Sequence, residues 1–76
     1  MKYELDNYQE VIKNAIQGDG AALAKIDAHL KNWVKNAGID HARIEKQQLC
    51  IWALGYGNRQ QVDALDVLMQ EMINQA

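Results

Sequence analysis

Serine, threonine and proline are missing altogether from these 76 residues, and cysteine occurs once, at Cys50. Without Ser or Thr the only hydroxyls are tyrosine phenols, which excludes catalysis by an activated serine or threonine. Without proline, only glycine interrupts the runs of good helix formers, near positions 18–20, 38 and 55–57. A lone cysteine cannot form a disulfide within the chain, and one unpaired thiol in apolar surroundings suits a reducing compartment. Long hydrophobic runs are missing too. The longest, Leu49 to Leu54, is far short of the ~20 residues that cross a bilayer. The stretch from Met1 to Glu10 is polar, carries Glu4, Asp6 and Glu10, and does not read as a signal peptide. These absences lead to an expectation of a cytoplasmic protein without a membrane segment.

Net charge is small as well. The net charge of −2 argues against bulk attraction to nucleic acid or anionic lipid. Its distribution is mildly uneven: Lys25, Lys31, Lys35, Arg43 and Lys46 make the middle weakly basic, while residues 47–76 set Arg59 against Asp63, Asp66 and Glu71. Solvated helix faces explain this pattern. Length allows a single domain, residues 1–76, near the lower end of what folds alone.

What is present is helical periodicity. The first helix is expected to begin at Asp6, where Asp6 to Gln9 has a capping-box pattern, and Leu5, Tyr8, Ile12 and Ala15 follow one stripe. Val11 and Ile16 flank that stripe, and Gly18 ends the helix. The second runs from Asp19 or Gly20 to about Ala37, with Leu23, Ile26, Leu30, Trp33 and Ala37 on one stripe and Val34 beside it. Lys25, His29, Asn32 and Asn36 face the other way, and Asp27 and Lys31 make a favourable i,i+4 pair. Gly38 terminates it.

The third helix starts at Asp40, with Ile39 and Ile44 spaced as a hydrophobic staple. At ~100° per residue, Ile44, Ile51 and Leu54 form one face while Leu49 and Trp52 point well away from it. A helix apolar on two sides is either central in a core or packed between its own fold and another chain. After Gly55-Tyr56-Gly57, Asn58 to Gln61 offers a second capping box for the fourth helix. Val62, Leu65, Leu68, Met69, Met72 and Ile73 share its stripe, and Val67 lies off it. The expected fold is therefore all-α: a compact bundle or orthogonal array of four short helices joined by glycine turns.

No motif with specific chemistry stands out. Cys50 sits in the most apolar stretch, where burial blunts a thiol, so a core hydrophobe is the better reading than a nucleophile served by His29 or His41. Those three residues, with Asp27 and Asp40, match no zinc spacing, and both histidines are expected to be solvated. Gly18-Asp19-Gly20 lacks the ligands of a calcium or phosphate loop. Asp63 and Asp66 share the solvent side of their helix and read as a solvated face. No catalytic residue, cofactor or metal is expected, and the chain does not read as an enzyme.

Two functional readings remain. The leading one is a non-enzymatic protein-interaction module, such as a small adaptor, inhibitor or regulatory subunit, that binds another protein or itself as a homodimer. Its surface would comprise Leu49, Trp52 and Tyr56, with Val67 and Arg59, residue types that dominate interface energetics. The alternative for Leu49 and Trp52 is that both pack beneath the first helix in the core. The second functional reading is a helix-turn-helix-like DNA-binding regulator presenting Asn58, Arg59, Gln60 and Gln61. Against it, the glycines and Val62 miss that motif's spacing, and Asp63 and Asp66 would approach the phosphates.

Overall fold

The computed structural model describes the backbone from residue 5 to residue 76 and the side chains from residue 8. Four helices follow in order: α1 (Leu5–Ala15), α2 (Gly20–Ala37), α3 (Ile39–Ala53) and α4 (Arg59–Asn74). The all-α architecture matches the periodicity of the sequence. The capping box read at Asp6 lies outside the described side chains.

Local chemistry sets the other boundaries. Asp19 caps α2, its carboxylate accepting from the Ala21 amide at 3.0 Å. Gly38 closes α2 at φ 98°, a left-handed value that a side chain would strain, and donates its amide to the Trp33 and Val34 carbonyls. The same residue opens α3 without a side-chain cap. At α4 the capping box is complete: Asn58 Oδ1 accepts from the Gln61 amide at 2.8 Å, and Gln61 Oε1 accepts from the Asn58 amide at 3.0 Å.

The core is aliphatic. Ile12, Ile26, Leu30, Leu49, Met69 and Ile73 are its largest fully buried side chains, joined by Val62, Leu65 and the small residues Ala22, Ala42 and Ala53. No polar or charged side chain is buried among the described residues. Helix α2 packs against all three others and α3 also packs against α1 and α4, whereas α1 and α4 barely touch. The Cα radius of gyration, 11.3 Å, is what a folded chain of this length should have.

Several faces differ from expectation. Ile39 and Ile44, spaced as a staple, are both exposed, so the start of α3 is held by Gly38 and not by that apolar pair. Ala37 and Leu68, placed on core stripes by periodicity, are exposed, and Ala22 of α2 is buried. His29 is not on a solvated face. Its Nε2 lies 2.9 Å from Glu45 Oε1 of α3, with each side chain only 13% exposed.

The largest correction concerns α3. Leu49, proposed as an interface residue, is 0% exposed and belongs to the core. Trp52 is half-buried and packs against that core. The physical reason is that Ala42, Leu49 and Ala53 recur at positions i, i+7 and i+11, one continuous stripe of the helix. Small residues at both ends of it let neighbouring helices approach closely. The helix is apolar on two sides, as its sequence says, but the surplus side is the one carrying Ile44, Ile51 and Leu54.

Candidate functional site

With Leu49 and Trp52 directed to the core, the outer face of α3 is built from Ile44 (63% exposed), Ile51 (60%) and Leu54 (53%). Ile44 and Ile51 are two helical turns apart and nearly in line. Between them the exposed residues are Gln47 and Gln48 alone, because Glu45 and Lys46 are both half-buried and turned toward other helices. Glu45 meets His29 on α2, and Lys46 Nζ lies 2.8 Å from Asp66 Oδ1 on α4. The exposed strip from Ile44 to Ile51 is therefore uncharged.

Tyr56, in the turn after α3, is exposed, as is Val67 on α4, so both lie where an interface residue must lie. Arg59 is almost fully exposed, and its Nε is 3.7 Å from Asp63 Oδ1, a solvated i,i+4 pair that contributes little. Sequence reasoning missed Ile44, Ile51 and Leu54 as the exposed set. The signal was the alanines: a stripe drawn through Ala42 and Ala53 assigns Leu49 inward and leaves Ile44 and Ile51 outward.

The Lys46–Asp66 contact tethers α3 to α4 beside Cys50. Asp66 Oδ1 is sealed from water and makes no aligned hydrogen bond, so its approach to Lys46 is a charge contact only. Burial first, then the Asp66 carboxylate, push the Cys50 thiol up from the usual 9.0 to about 11, with Lys46 opposing. Cys50 is a thiol at neutral pH and a poor nucleophile.

A second feature is the aromatic cluster around His29. The Tyr8 ring lies 4.3 Å from the His29 ring, Trp33 meets His29 edge-on at 6.4 Å, and His41 stacks over Trp33 at 6.5 Å. A histidine held by a carboxylate is half of an acid–base arrangement, but Cys50 serves a different contact, facing Asp66 on α4. An open groove of about 920 Å³ runs between α1 and α2, lined by Tyr8, Asn14, Asp19, Lys25 and His29 among others. Acid, base and amide mix along its walls without converging on one point. Among the described residues no group of three or more His, Cys, Asp or Glu side chains could hold a metal ion, and no helix is long and apolar enough to cross a membrane.

The residues read as base or phosphate contacts at the start of α4 are partly committed elsewhere. Asn58 and Gln61 spend their side chains on each other's backbone amides in the capping box, which leaves Arg59 and Gln60 to face outward. No protein-family model matches the chain, and no curated protein or solved structure shows significant similarity to it.

Proposed function

We propose that this protein is a non-enzymatic interaction module whose contact surface is the outer face of α3, centred on Ile44, Ile51 and Leu54, with Tyr56 at its edge. The observation that carries this reading is the uncharged, half-apolar strip from Ile44 to Ile51, kept free of charge by the inward pairing of Glu45 and Lys46. Isolated exposed apolar residues are ordinary on any protein surface; three in register on one helix, around a pair of glutamines, support a docking role. Desolvating such a strip strands no ion, and amide side chains can pair with almost any polar neighbour. An inhibitor, adaptor or regulatory subunit uses surface in this way.

The nucleic-acid reading has less support. Arg59 and Gln60 are a thin contact set beside Asp63, and the chain is acidic overall, at −2. The interaction reading is tested in living cells of the source organism by placing a photo-activatable amino acid at position 51 or, as a control, at the exposed position 35. A discrete crosslinked protein adduct from position 51 and none from position 35 is expected. No adduct from position 51, or the same adducts from both, would overturn it.

A further inference from the structure

We propose that the occupant of this face is a second copy of the same chain, packed with its α3 antiparallel so that Ile44 of each copy meets Ile51 of the other. The pairing rests on the reading of α3 as a contact surface and names the partner. A two-fold interface must be self-complementary: whatever residue i touches, the contact must hold when the roles are exchanged. The strip from Ile44 to Ile51 meets that condition, while Leu54 beyond it falls opposite the exposed His41 of the other copy. Its two isoleucines lie symmetrically about Gln47 and Gln48, so turning one helix end for end lays isoleucine on isoleucine and glutamine on glutamine. Each glutamine amide carries both donor and acceptor, so the central pairs satisfy each other without a charged partner.

Electrostatics favour the same choice. A strongly acidic or basic partner gains nothing from a strip with no exposed charge between Ile44 and Ile51. A second copy brings like against like at no Coulomb cost, and the antiparallel arrangement opposes the two helix dipoles. Asp40 and Arg43, both exposed at the N-terminal end of α3, then lie near the C-terminal carbonyls of the other α3, where the cation is favoured and the carboxylate is not, so the ends of the pair roughly cancel. One face of a 15-residue helix is smaller than the ~800 Å² per partner of a standard stable interface, which implies a concentration-dependent pair and not an obligate one.

The test is sedimentation equilibrium of the full chain over about 5 to 500 μM, a window set for micromolar affinity. The variants are Ile44→Lys, Ile51→Glu and the double substitution; circular dichroism verifies that each keeps its helical signal. The wild type is expected to rise from the 8.6 kDa of one chain toward twice that mass. Either single variant is expected to stay monomeric. The double variant is expected to regain association, because antiparallel packing sets the introduced lysine of one copy against the introduced glutamate of the other. A parallel register would oppose like charges and leave the double variant monomeric, which would overturn the proposed packing. Association unaffected by the single substitutions would overturn the choice of face. A wild type that stays monomeric throughout would overturn self-pairing, while a crosslink from position 51 to a protein of different mass would leave the interaction reading standing.

Discussion

Cys50 shows how one side chain's surroundings decide its chemistry. Partial burial and the Asp66 carboxylate favour the neutral thiol and hold its pKa at about 11. The thiolate is the reacting species, so at pH 8 ionisation alone makes Cys50 about 100-fold less reactive than an ordinary thiol of pKa 9.0. Its reaction with a disulfide reagent should keep accelerating about tenfold per pH unit through pH 10; a rate that levels off by about pH 10 would show an unshifted group. The raised pKa also has a sign for stability. Between pH 9 and 11 the unfolded chain gives up this proton while the folded one keeps it, so Cys50's contribution is intact below pH 9 and lost as pH rises toward 11. Glycines divide in the same residue-specific way. A Cβ on Gly57 would stand 2.8 Å from Ile16 Cδ1 and 2.7 Å from Gln61 Oε1, whereas one on Gly20 would meet nothing within 4 Å. Gly57→Ala is expected to cost about 1–2 kcal/mol by overpacking in a urea melt. Gly20→Ala is expected to be neutral or to stabilise by about 0.5 kcal/mol, through the unfolded chain and helix propensity.

At the scale of elements, what was legible in the sequence was local. The Asn58 capping box, the Gly38 stop and the Asp27–Lys31 pair each depend on residues within a turn or so of helix, and each is present. The core stripes of α1 and α4 were largely legible because their large aliphatics cluster on one side. The orientation of α3 was not. Its apolar residues are spread around the helix, and size misleads there: two alanines mark the core side while two isoleucines lie outside. Only the neighbours of α3 decide the matter, and they come from distant parts of the chain. His29 escaped for a related reason. Its partner Glu45 lies 16 residues away on another helix, and nothing in the periodicity of α2 announces it. Of the proposed contact residues, Tyr56, Arg59 and Val67 were placed on the surface correctly, Trp52 proved half-buried, and Leu49 belongs to the interior.

Across the whole molecule, α2 and α3 supply most of the packing, and the charged contacts Glu45–His29 and Lys46–Asp66 tie α3 to the helices on either side. Both charged residues lie well around the helix from the Ile44–Ile51 line, toward the helices they meet, and the outer strip of α3 is neutral. Stability and the proposed contact surface thus belong to opposite sides of one helix. Comparing urea unfolding of Leu49→Ala and Ile51→Ala tests this division most directly. The comparison is best made at about 5 μM chain, the low end of the concentrations over which pairing is expected. Leu49→Ala is expected to lose about 2–5 kcal/mol by leaving a cavity, and Ile51→Ala less than about 0.5 kcal/mol because its side chain is already in water. Equal losses, or a larger loss at position 51, would mean that α3 packs the other way round and that no apolar face is left over for a partner.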